Sequence, residues 1–83
     1  MKVLLQEKDM HENLFLAVVV VEVEGDKLNL EIGTQILADH MDCTPAEAVA
    51  YMNIKVEDEG AWMIVAGEEI SFFLTNLDDS RLK

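Results

Sequence analysis

Eight consecutive apolar residues, 14–21, lead into the alternating stretch Glu22-Val23-Glu24, and after Gly25-Asp26 the alternation resumes from Lys27 to Ile32. β-Branched runs and two-residue alternation are both strand signals, and a Gly-Asp pair between them is a turn signal. The pattern predicts a β-hairpin of residues 14–24 and 27–32. With a two-residue turn the cross-strand pairs are Val23 with Leu28, Val21 with Leu30 and Val19 with Ile32, all on one face. Glu22, Glu24, Asn29 and Glu31 then share the opposite face with Lys27, which makes that face acidic.

Gly33-Thr34 closes the second strand, and Thr34 stands where it would cap a helix over residues 35–41, in which Ile36, Leu37, His40 and Met41 recur at helical spacing. Thr44-Pro45-Ala46-Glu47 predicts a second helix start, with Thr as N-cap, Pro at the first helical position and Glu completing a capping box. This helix is expected to run through Ala48, Val49, Tyr51 and Met52 to about Asn53. Strand character returns at residues 54–57, 62–65 and 70–75, separated by turns at Asp58-Glu59-Gly60 and Ala66-Gly67-Glu68-Glu69. A tight turn at Gly67-Glu68 pairs Val65 with Ile70 and Met63 with Phe72 on one face, and leaves Trp62, Ile64 and Phe73 on the other. Val3 and Leu5 add a short strand, and residues 78–83 form a frayed end.

These elements predict an α+β fold in the order ββααβββ. A mostly antiparallel sheet of about five strands carries one helical hairpin, in a single domain spanning residues 1–83. A helix pair covers only one face of a sheet. Trp62, Ile64 and Phe73, with Leu14, Leu16, Val18 and Val20, are more apolar than a solvated face needs. Either the N-terminal segment and the C-terminal Leu77 and Leu82 fold over that face, or two copies bury it in a homodimer whose interface contains Trp62, Ile64 and Phe73, and a domain this small gains most from the second.

Charge sets the class of partner. Asp and Glu number 17 against 6 Lys and Arg, a formal net of −11, while 51% of the residues are hydrophobic. That apolar content excludes a disordered acidic tail, and the acid is spread over the whole chain. A folded body of this charge repels nucleic acid and anionic membrane and attracts basic protein surfaces. The expected partner is a basic nucleic-acid-binding protein or complex, held by Glu22, Glu24 and Glu31 on the hairpin and by Glu57, Asp58, Glu59, Glu68 and Glu69 at the turns of the meander. Glu7, Lys8 and Asp9 interrupt the start before a signal-peptide core develops, and residues 14–21 are too few to span a bilayer as a helix. A lone Cys43 offers no internal disulfide, so the reading is cytoplasmic.

Residues that could carry chemistry do not assemble into a site. The neighbouring carboxylates fall in turns where water solvates them, without the alternate spacing of a calcium loop. His40 and Cys43 are two ligands short of a zinc site, and Cys43 lacks the electropositive surroundings of a nucleophile. No catalytic residue, metal or cofactor is expected. Residues 35–52 resemble a bacterial helix-turn-helix over about a fifth of the chain, with Leu37 and Ala38 at the packing positions, Met41-Asp42-Cys43 at the turn and Thr44-Pro45 opening the second helix. Asp42 stands where that motif has Gly, and no Lys or Arg occurs between Lys27 and Lys55 to meet phosphate. The resemblance implies a small transcriptional regulator, whereas the residues themselves suggest two short helices packed over a sheet. In size and acidity the chain is similar to the small acidic inhibitors of phages and mobile elements, anti-CRISPR and antirestriction proteins among them. That likeness implies a non-enzymatic inhibitor acting as a nucleic-acid mimic. An accessory or small-molecule-sensing subunit is a further reading of the apolar second face.

Overall fold

The computed structural model describes residues 1–50, 52–57 and 60–79. Its elements are β1 (Lys2–Asp9), β2 (Leu14–Glu22), α1 (Leu30–Met41), α2 (Pro45–Val49), β3 (Asn53–Glu57), β4 (Trp62–Ala66) and β5 (Ile70–Asn76), the order ββααβββ. One antiparallel five-stranded sheet runs β2-β1-β5-β4-β3. The fold is α+β, with two helices on one side of the sheet.

The hairpin lies elsewhere than the local pattern suggests. β2 pairs with β1, with Val21 opposite Val3 and Val19 opposite Leu5, rather than with residues 27–32. β1 offers eight residues of alternating character, more pairing than residues 27–32 could supply, and a third strand, β5, stacks on its far side. Residues 27–32 are instead divided between a loop and the first turn of α1. Asn29, extended at φ −141°, is the N-cap, and its side-chain oxygen accepts the Ile32 N–H at 2.8 Å. Thr34, the expected cap, lies inside the helix. The apolar spacing of Ile32, Ile36 and Leu37 continues one turn further back than the β-like alternation allowed for.

The capping box at Thr44 is present. Thr44 Oγ1 accepts the Glu47 N–H at 3.2 Å, and Glu47 Oε1 accepts the Thr44 N–H at 3.2 Å and its hydroxyl at 2.9 Å. α2 ends at Val49, short of Asn53, because Ala50 and Met52 turn their N–H groups to carbonyls three residues back and Asn53 already pairs with Ala66. Tyr51 lies outside the described residues, as do residues 80–83 of the expected frayed end. Asp42 closes α1 with φ 56°, a left-handed position that Asp tolerates better than most residues.

Between β4 and β5 the expected faces hold but the register is two residues longer. Val65 pairs with Phe72 and Met63 with Leu74, because the turn takes in Gly67 to Ile70 instead of two residues. A slip of two keeps every side chain on its own face, whereas a slip of one would invert them. The core therefore joins Val3 and Leu5 of β1, Met63 and Val65 of β4, and Phe72 and Leu74 of β5 to Leu28, Ile36, Leu37, Ala38 and Ala48. Gly33 permits this closeness, since a Cβ there would stand 2.1 Å from Met63 Sδ. Asn76, fully buried, ties the sheet to the loop before α1. Its Nδ2 donates to Asp26 O at 3.0 Å and its Oδ1 accepts the Asp78 N–H at 3.0 Å.

Candidate functional site

The sheet face away from the helices is open. Strand parity puts Lys2, Leu4, Gln6 and Lys8 of β1 on it, with Phe15, Val18 and Val20 of β2, Phe73 and Thr75 of β5, Trp62 and Ile64 of β4, and Lys55 and Glu57 of β3. Trp62, Ile64 and Phe73 come together there as expected. With Gln6, Lys8, Phe15 and Thr75 they line a depression of about 310 Å³. The Lys8 ammonium stands 5.7 Å from the Phe15 ring centroid and 6.0 Å from that of Phe73, within cation–π range of both. Three of the four lysines among the described residues lie on this face, with Glu22 opposite Lys2 and Glu57 paired with Lys55.

The sequence pattern missed Gln6, Lys8 and Phe15 as members of this group. The signal was present in β1, where polar Lys2, Gln6 and Lys8 share one parity and buried Val3 and Leu5 the other. It was obscured because residues 14–24 had already been assigned a different pairing partner.

The carboxylates gather at the two ends of the sheet rather than on one face. Met10 N–H donates to Glu69 O at 2.8 Å, which holds the β1–β2 turn against the β4–β5 turn and brings Asp9, Glu12, Glu68 and Glu69 to one end. At the other end Glu22 pairs with Lys2, Lys2 N–H donates to Asp78 Oδ2 at 2.9 Å, and Asn76 reaches Asp26. Glu22, Glu24, Asp26 and Asp78 thus form a second group about 20 Å away along β5, at roughly 3.3 Å per residue. Glu31 is not on an outer hairpin face; it is exposed in the first turn of α1, where the helix dipole favours a negative charge. Glu57 is on the open face, paired with Lys55 at 2.8 Å, and that ion pair raises the Lys55 pKa. Asp58 and Glu59 lie outside the described residues.

Two ion pairs occur among the described residues, Lys55 with Glu57 and His40 Nε2 with Glu7 Oε1 at 3.2 Å. The second lies on the helix side, where the His40 ring meets Phe72 edge-on at 5.9 Å between centroids. It links α1 to β1, and His40 also lines a depression with Ile36, Asp39, Val19 and Val21. Cys43 is half-buried and contacts the core, and no cluster of three His, Cys, Asp or Glu suited to a metal occurs among the described residues. No helix among those residues is long and apolar enough to cross a membrane.

Two carboxylates have a structural task that depends on ionisation. Asp9 Oδ1 accepts the N–H groups of His11 at 2.8 Å and Glu12 at 3.0 Å, and these bonds, Glu12's first, hold its pKa below the ordinary 3.8. The Thr44 N–H, then its hydroxyl, likewise hold Glu47 below 4.5. A depressed carboxylate pKa means that the folded state binds fewer protons than the unfolded chain. The stabilisation is present above the unfolded pKa and disappears as pH falls through the folded value. Urea midpoints are expected to decline below about pH 4. In Asp9→Asn, which keeps an oxygen acceptor but does not titrate, the decline should be shallower; equal slopes would exclude Asp9 as a contributor.

Comparison with protein-family models, curated proteins and solved structures finds no match to this chain.

Proposed function

We propose that this protein is a non-enzymatic, cytoplasmic interaction protein that binds a basic nucleic-acid-binding protein and occupies the surface where nucleic acid would sit. The observation that carries this reading is the pair of acidic ends. Glu12, Glu22, Glu24, Asp26, Glu68 and Glu69 are exposed there, and none is in an ion pair among the described residues. Carboxylates held at fixed spacing on a folded body give a long-range attraction to a basic groove without supplying a catalytic group. The inhibitor class suggested by the chain's size and acidity, the nucleic-acid mimics of phages and mobile elements, follows the same logic. α2 presents Ala46, Glu47 and Ala50 to solvent and no base, so a DNA-reading role for the helix pair gains no support from this geometry.

The test is competition. The immobilised protein should retain a basic nucleic-acid-binding protein from a nuclease-treated lysate of the organism that encodes it. Added duplex DNA should release that protein, while the immobilised chain alone should bind no DNA at moderate salt. Salt-sensitive DNA binding by the chain itself would instead promote the regulator reading. The depression beside Trp62 and Phe73 favours a second reading, an accessory or small-molecule-sensing subunit. Under it, ligand would perturb Trp62 fluorescence and the acidic ends would be dispensable.

A further inference from the structure

The two edges of the sheet are built in opposite ways. β3 is five residues long and carries the Lys55–Glu57 ion pair, and short, charged strands protect an edge from pairing. β2 is nine residues long and has no charge before Glu22. Leu14, Phe15, Leu16, Val18 and Val20 are each more than half exposed, and Val19 is 38% exposed. Side by side on an edge strand, these side chains make one contiguous apolar strip, the kind of surface that marks an interaction site.

Among the described residues, no strand pairs with the outer backbone of β2, which is an edge of the sheet. Val23 N–H donates to Met1 O at 3.0 Å, and Leu77 N–H donates to Lys2 O at 2.9 Å. Hydrogen-bonded and non-bonded pairs alternate along an antiparallel ladder, so odd residues of β1 bond to β2 and even residues to β5. Val19 and Val21 accordingly turn their backbone toward β1. Val18, Val20 and Glu22 direct their N–H and C=O groups outward, in the row that templates a further strand.

We propose that β2 docks a second copy of this chain, antiparallel, about a two-fold axis at Val20, so that two five-stranded sheets become one continuous sheet. Val20 faces its counterpart, and Val18 faces Glu22 of the second copy. The pairing stretch stays clear of the irregularity in β2 opposite Glu7 and Lys8. Charge selects the occupant. Two bodies of net −11 repel each other through most of their surfaces, and β2 is the long edge that carries no charge from Leu14 to Val21, its one carboxylate being Glu22 at the end. A basic partner, by contrast, finds nothing on residues 14–21 to read. The two Glu22 side chains sit about 14 Å apart along the strand at about 3.4 Å per residue, beyond the Debye length of about 8 Å at physiological salt. An interface in which the same patch serves both copies closes at two, and the edges left outside are the charged β3 strands.

Light scattering on the full chain over a concentration series should show a dimer of twice the 9.3 kDa chain mass. Val20→Pro removes an outward N–H without touching the β1–β2 ladder, and Val18→Lys places a charge on the exposed edge. Each should weaken dimerisation roughly tenfold or more, with an unchanged circular dichroism spectrum. Val18→Lys alters no backbone group, so it keeps the test decisive should Val20→Pro fold poorly. Val56→Lys on β3 should have no effect. The Val18 and Val20 amides should exchange with solvent more slowly as concentration rises. A monomer at every concentration would overturn the proposal, as would an oligomer larger than two. So would a dimer that survives Val18→Lys and dissociates with Trp62→Ala.

Discussion

Phe72→Ala is expected to lower the unfolding free energy by about 3–5 kcal/mol, the range for removing a buried aromatic ring. Phe72 is 2% exposed, pairs with Glu7 and Val65 across the sheet, and carries the edge-on contact with His40 that joins α1 to β5. At about 0.05–0.15 kcal/mol per residue, a chain of 83 residues has a total stability of roughly 4–12 kcal/mol. The variant should therefore lose between about a quarter and all of that stability. Phe73→Ala provides the contrast, because its ring lies on the open face over Gln6 and Ile64 and is only half-buried. Its expected cost is about 1–2 kcal/mol, less than full burial of such a side chain is worth. Urea titrations of the two variants beside the native chain give the comparison. Equal losses would mean that the open face is covered in solution as thoroughly as the helix side.

Reversing Glu22, Glu24, Glu68 and Glu69 together to Lys is expected to abolish binding of the basic partner without unfolding the domain. Each reversal changes the charge by two, so the formal net moves from −11 to −3. All four side chains are exposed and outside the ion pairs found among the described residues, so their replacement breaks neither of those pairs. A single rim charge is worth about 1 kcal/mol and acts mainly on association rate and salt dependence. Four together amount to about 4 kcal/mol, close to a thousandfold in affinity. The native complex should also dissociate in salt on the order of 1 M, where the Debye length is about 3 Å. If affinity is carried by apolar anchors, Trp62→Ala alone removes binding, as a hot spot does, and salt has little effect. A complex indifferent to both salt and the four reversals would end the acidic-mimic reading.

Features whose cause is local were legible in the sequence. The Thr44-Pro45-Ala46-Glu47 box forms where its residues stand, because both of its hydrogen bonds close within three residues. The meander strands and their two faces were legible for a related reason. Alternation assigns Met63, Val65 and Phe72 to one side and Trp62, Ile64 and Phe73 to the other whatever the loop length, and a two-residue error in register leaves that assignment intact. The acidity is likewise a property of composition.

Tertiary structure decided which strand pairs with β2 and where α1 begins. Residues 27–32 carry a strand pattern in isolation, yet β1 competes for the same edge with a longer ladder and with β5 behind it, and the released segment becomes helical with Asn29 as its cap. That one substitution of partners moved Glu31 from an outer sheet face to a helix. It also brought Asp9, Glu12, Glu68 and Glu69 to one end of the sheet and Glu22, Glu24, Asp26 and Asp78 to the other, and left β2 as a long edge without charge before Glu22. Strand pairing is a competition among distant segments, and hydrophobic periodicity records which residues want burial without recording against what.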